Sequence, residues 1–142
     1  MASFLLDTNI LSELMKSTPD SNVINWFKRQ QQANFFTTII TQAEIYTGIA
    51  YLPDGKRKQR LAIAAVALFK EDFSTRVLPF SEDSVIAYSL LRAACRSQGR
   101  AITSEDAMIA AIAQSQSIPL VTRNTKDFDF IDNLKLVNPF KS

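Results

Sequence analysis

An α/β fold, with a parallel sheet covered by helices on both faces, is predicted by three features of the chain. Short apolar or β-branched runs recur along its 142 residues. Each is followed by segments whose apolar residues sit at helical spacing. No internal repeat, low-complexity tract or long linker divides it, so 1–142 reads as a single domain. Strands alternating with helices in this way belong to parallel sheets, whose crossovers cover both faces.

The first strand is the run Ala2-Ser3-Phe4-Leu5-Leu6, ended by Asp7-Thr8-Asn9. Asp, Thr and Asn close strands and cap helices, and Ile10, Leu11, Leu14 and Met15 then carry a helical pattern. A second helix is predicted over 21–31, with Val23, Trp26 and Phe27 on its buried face. Phe35-Phe36-Thr37-Thr38-Ile39 reads as the second strand, being aromatic and β-branched. Thr41 is expected to open a third helix reaching 52, and Pro53-Asp54-Gly55 makes a turn. One long helix is expected over 56–74 and a short strand over 76–80. Ser81-Glu82-Asp83-Ser84 caps a helix that Gly99 ends. Thr103 opens another through about 115. A β-branched strand follows over 118–122, with Pro119 near its start, and Leu136-Val137 adds a last one.

Composition narrows the chemistry. The chain is 46% hydrophobic and 21% charged, enough to bury a core, and its net charge of +2 names no partner. There is no histidine, so Ser-His-Asp and Cys-His mechanisms are excluded and the commonest zinc ligand is missing. The single cysteine, Cys95, cannot form an internal disulfide and reads as a small buried residue in a reducing compartment. No signal peptide or membrane-length apolar run is present, and a cytoplasmic location is expected.

The first strand ends on Asp7, at the carboxyl edge where open α/β sheets bind ligands. Three further carboxylates occupy similar junctions: Glu44 after the second strand, Asp106 at a helix start, and Asp127 after the 118–122 strand. Taken singly, each has an ordinary reading. Asp7 is a cap, Thr41-x-x-Glu44 is a capping box with Thr103-x-x-Asp106 its relative, and Asp127 is a turn residue. Four carboxylates at four junctions exceed what capping requires. Gathered together they would repel, and at least one carboxyl should titrate high. A divalent cation with oxygen ligands relieves that repulsion, magnesium first and manganese close behind. The chemistry such a set supports is phosphate-ester hydrolysis.

At these residues the chain resembles the PIN-domain ribonucleases, and among them the VapC toxins of bacterial toxin–antitoxin pairs. The likeness is carried by Leu5-Leu6-Asp7-Thr8-Asn9-Ile10-Leu11-Ser12-Glu13-Leu14, Glu44-Ile45-Tyr46-Thr47-Gly48-Ile49, Asp106-Ala107-Met108-Ile109-Ala110-Ala111 and Leu120-Val121-Thr122-Arg123-Asn124-Thr125-Lys126-Asp127-Phe128, in that order. The resemblance implies a three-layer α/β/α fold with a mostly parallel sheet of four or five strands. It implies a growth-inhibiting, magnesium-dependent endoribonuclease in which Asp7, Glu44, Asp106 and Asp127 hold one or two cations. Thr8, Thr122 and Asn124 would stand behind them, and Asn124 could share or replace the role of Asp127. It further implies a homodimer and an antitoxin that pushes a basic side chain into the acidic pocket.

Arg123 and Lys126 flank the proposed site and are candidate RNA contacts; Lys16 and Arg100 are candidates for its border. Lys56, Arg57, Lys58 and Arg60 suit either RNA phosphates or a solvated helix start. Gly48, inside a predicted helix, is expected to mark close helix packing. Trp26, Phe35 and Phe36 read as core rather than as base-stacking residues. Two other readings of the acidic set stand beside the nuclease. A strand-end Asp phosphatase usually carries a second Asp two residues on, where this chain has Asn9. A non-catalytic module would keep the acidic pocket only to dock a basic partner.

Overall fold

The computed structural model describes residues 2–141. Its centre is a sheet of five strands, all parallel, in the order β3-β2-β1-β4-β5. The strands are β1 (Ser3–Leu6), β2 (Asn34–Thr38), β3 (Val77–Leu78), β4 (Leu120–Val121) and β5 (Leu136–Val137). Seven helices connect them: α1 (Thr8–Leu14), α2 (Ser21–Arg29), α3 (Ile39–Ala50), α4 (Lys56–Ala67), α5 (Glu82–Gln98), α6 (Ser104–Gln116) and α7 (Thr125–Phe128). The expected α/β architecture is present, with the sheet wholly parallel.

Side-chain alternation along the strands sorts the core into two layers. Leu5 and Leu120 face α5 and α6, packing with Leu91, Cys95, Ile109 and Ile112. Their neighbours Leu6 and Val121 face the other way, toward Ile10, Leu11, Trp26, Ile45 and Phe69. Trp26 and Phe35 belong to an aromatic group with Phe4 and Phe27, ring centres 5.0–6.0 Å apart, so the core reading of both holds. Phe36 packs on the opposite layer. Cys95 is buried as expected.

Several boundaries differ from expectation. α3 starts at Ile39, and its N-cap is Thr38, whose hydroxyl accepts from the Thr41 N–H at 3.0 Å. Thr41 therefore lies inside the helix and the Thr41-x-x-Glu44 capping box does not form. The 56–74 helix ends at Ala67 and passes into a π-helical turn, Leu68–Asp72, in which the Phe73 N–H donates to the Leu68 carbonyl. Both Phe69 and Phe73 are thereby buried. Asp127 sits in the short helix α7 rather than a plain turn. Pro119 immediately precedes β4, and its carbonyl accepts from Leu5 N–H. Gly99 ends α5 in the left-handed conformation, φ 64°, that glycine adopts without strain.

Candidate active site

The strand order places β1 between β2 and β4, so the chain leaves β1 in one direction and later returns on its other side. Ligands bind at such a switch point, outside the carboxyl ends of the strands. Asp7 follows β1 and Thr122 follows β4, and the Asp7 N–H donates to the Val121 carbonyl at 3.1 Å. The Asp7 carboxylate caps α1, its Oδ1 accepting from Ile10 N–H at 3.1 Å. Only 4% of Asp7 is exposed. Burial is the main reason its carboxyl is pushed up to about 6; the Asp106 charge adds to the shift, and hydrogen bonds from Thr122 and the Ile10 and Asn9 backbone oppose it.

Glu44 projects from the second turn of α3. The Thr8 hydroxyl donates to its Oε1 at 2.6 Å and lies 3.1 Å from the Thr41 hydroxyl. Because Thr38 caps α3, the Glu44 carboxylate is free to face α1. Partial burial raises its pKa above the ordinary value, with the charges of Asp106 and Glu105 adding and Thr8 opposing. Asp106 lies in the first turn of α6, where Thr103 is the N-cap and accepts from the Asp106 N–H at 3.1 Å. The local cap is real here, yet the Asp106 carboxyl also titrates high, chiefly from burial and then from Asp127 and Glu105. α6 is buried almost all round by Ala107, Ile109, Ala110, Ala111, Ile112 and Ala113, so Asp106 is carried on a fixed support.

Asp7, Glu44, Asp106 and Asp127 are thus linked as one electrostatic group, with Asp106 acting on Asp7 and Glu44 and Asp127 acting on Asp106. Desolvation, not mutual repulsion, is the leading cause of each resolved shift. Among the described residues no three acidic side chains converge into a ready-made metal cage. A cation that keeps several waters needs only one or two carboxylates. The donor set is all oxygen, the chemistry a hard divalent cation requires.

The other candidates are distributed around this group. Thr122 is fully buried; its hydroxyl lowers the Asp7 pKa and its Oγ1 accepts from Asn124 N–H at 3.1 Å. Asn124 is the N-cap of α7, and its carbonyl accepts from Asp127 N–H at 3.0 Å. Arg123 is held over the Phe140 ring at 4.5 Å; the Glu13 pKa is lowered chiefly by the hydrogen bonds from Lys16 and the Asp20 N–H, with the Arg123 charge the smallest contribution. Lys126 is exposed on α7. Arg100 grips α7, the helix that carries Asp127. Lys58 donates to the Ala50 carbonyl and to Asp54, closing the end of α3, which fits the structural reading.

Two acidic residues carry roles that the sequence reading passed over. Glu105 adds charge to Glu44 and Asp106; its signal was its place beside Asp106 in a helix first turn. Glu13 is 6% exposed, and its carboxylate accepts from Lys16 Nζ at 2.9 Å and Asp20 N–H at 2.8 Å. Nothing in its local sequence announces a bond to a residue in the following loop.

From Thr8 and Glu44 a groove of about 1020 Å³ runs between α1, α3 and α4. Ile45, Ile49 and Leu61 line it, and Arg57, Arg60 and Lys16 stand along it. Gly48 also lines it, and a Cβ built there meets nothing within 4 Å. The expectation that Gly48 marks close helix packing is therefore overturned: the space beside it is open.

A family model described as "PIN domain" matches residues 4–134. The chain is 34% identical over 137 residues to a protein of Sinorhizobium fredii named VapC ribonuclease Y4jK, covering 96% of this chain and 97% of that one. It is 32% identical over 136 residues to Toxin FitB of Neisseria gonorrhoeae, covering 96% and 97%. Among solved structures, FitAB bound to the IR36 DNA fragment superposes with a TM-score of 0.86 at 31% identity, covering 98% of this chain and 96% of that one.

Proposed function

Because this chain belongs to the PIN-domain family, we propose that its acidic group, Asp7, Glu44, Asp106 and Asp127, holds magnesium, or manganese in its place, for RNA hydrolysis. The protein is an endoribonuclease and the toxin of a toxin–antitoxin pair. The observation that carries the site assignment is the electrostatic chain from Asp127 through Asp106 to Asp7 and Glu44 at the carboxyl edge of the sheet.

A divalent cation bound there supplies charge stabilisation at the phosphate and lowers the pKa of coordinated water. The chain's own groups prepare the site. Asp7, its carboxyl pushed up to about 6, is almost wholly ionised above neutral pH and partly protonated below it. Thr122 and Thr8 orient Asp7 and Glu44 by hydrogen bonds. Thr122 also anchors Asn124, which starts the helix that carries Asp127. Arg123 and Lys126 lie on the same β4–α7 segment and are the nearest candidates along the chain for RNA phosphates. Hydrolysis adds water across one phosphodiester, and no protein nucleophile takes part.

The partner is an antitoxin, and the groove running from Glu44 past Gly48 suits a protein segment better than a nucleic-acid backbone, since its floor is largely apolar. Arg57 and Arg60 favour carboxylates on that segment, and Glu44 favours a cation at its end. A homodimer has a candidate face on α5, where Val85, Ile86 and Leu90 are 47%, 59% and 69% exposed. A cytoplasmic location agrees with this function; no helix of the described residues is long and apolar enough to cross a membrane.

The test is cleavage of total cellular RNA by the purified protein with magnesium, with manganese and with chelator, beside Asp7→Asn. Metal-dependent cleavage that the variant lacks is the expected result. Full cleavage by a folded Asp7→Asn protein overturns the site assignment.

A further inference from the structure

α7 is only four residues long and has no side-chain cap. Helices this short do not hold themselves, and their orientation comes from tertiary ties. Phe128 supplies one by burying its ring. Arg100 supplies another. Its Nη2 donates to the Lys126 carbonyl and to Asp129 Oδ1, both at 2.8 Å, and its guanidinium lies 4.7 Å from the Phe130 ring centre. The Lys126 carbonyl belongs to the peptide unit that contains the Asp127 N–H.

The other end of this tether is equally fixed. The Arg100 N–H donates to the Cys95 carbonyl at 2.9 Å, seating the residue on the end of α5. Arg92 holds the Ile102 carbonyl at 3.0 Å, one residue before the N-cap of α6. Arg100 therefore reaches from the anchored loop that leads into Asp106 to the peptide that carries Asp127.

We propose that Arg100 is a positioning residue: through the Lys126 carbonyl and Asp129 it sets the position of the Asp127 carboxylate relative to Asp106. This rests on the reading of Asp106 and Asp127 as cation-holding residues. Two carboxylates on separate helices serve one cation only if their spacing is held, and a displacement of about 1 Å at such a site costs about 100-fold. An exposed ion pair contributes little to global stability, so removing Arg100 acts on the site more than on the fold.

The test is magnesium titration calorimetry on the metal-free protein, together with hydrogen exchange of the α7 amides. Arg100→Ala is expected to weaken magnesium binding by about 10- to 100-fold. The α7 amides should exchange faster while the melting temperature stays close to that of the parent. Arg100→Lys should recover part of the loss, because an ammonium can still donate to the carbonyl and to Asp129 but does not stack on Phe130 as a guanidinium does. The double variant with Asp127→Asn should bind no more weakly than Asp127→Asn alone. Parental affinity in Arg100→Ala, or losses that add in full in the double variant, overturns the proposal. Parental affinity in Asp127→Asn instead removes Asp127 from the site, and the reading beneath the proposal fails with it.

Discussion

The Thr8 hydroxyl donates to Glu44 Oε1 at 2.6 Å, joining α1 to α3 across 36 positions of sequence. This bond favours the ionised carboxylate and opposes the burial that raises the Glu44 pKa. Thr8→Val removes the donor at nearly constant volume. The Glu44 carboxyl should then rise further, moving the acid limb of the pH–rate profile to higher pH and lowering cleavage at neutral pH by about tenfold. Thr8→Ser keeps the donor and should keep the profile. Identical profiles for the valine variant and the parent would show that Thr8 does not tune Glu44.

Asp7→Asn should stabilise the metal-free protein at neutral pH while abolishing cleavage. The Asp7 pKa is raised from 3.8 to about 6, so between those values the folded state binds more protons than the unfolded one. Stability from this residue is therefore greatest below about pH 4 and falls as pH rises through 6, by on the order of 3 kcal/mol. Asparagine carries no charge and still caps α1. Its gain in melting temperature should be present at pH 7.5 and vanish below pH 4. Thermal melts across that range check both the sign and the window.

Magnesium binding should be linked to the same proton. Above about pH 6 the Asp7 carboxylate is already ionised and affinity is level with respect to this group. Below it, the cation must displace a proton, and affinity should fall by about tenfold per pH unit. Calorimetry in buffers of different ionisation enthalpy measures the protons released. Equal release at pH 5 and pH 8 would detach Asp7 from the cation.

Gly48→Ala should separate stability from partner binding. Glycine inside a helix costs about 1 kcal/mol relative to alanine, and the added Cβ meets nothing within 4 Å. The free protein should melt about 2–4 °C higher. The same methyl enters the groove beside Glu44, and dissociation from the antitoxin should become faster. A melting temperature below that of the parent would mean that the open space beside Gly48 is filled in solution.

Sequence alone determined the α/β class, the positions of most helices and strands, and the four acidic residues of the proposed site. It could do so because those signals are local. Leu5, Leu6, Leu120 and Val121 declare short buried strands, Ser81 and Gly99 bracket a helix, and a carboxylate after a strand marks a junction. What the local signals left open was settled by contacts between segments distant in the chain. Thr38, not Thr41, caps α3 because β2 runs on to Thr38 beside β3, and this turns Glu44 toward Thr8. Glu13 is buried against the loop that follows it. Arg100 is drawn to a carbonyl 26 positions away. The burial that lifts the Asp7 pKa also belongs to no single segment. A carboxyl is desolvated by whatever packs around it, and that is decided only when β1, β4 and the helices come together.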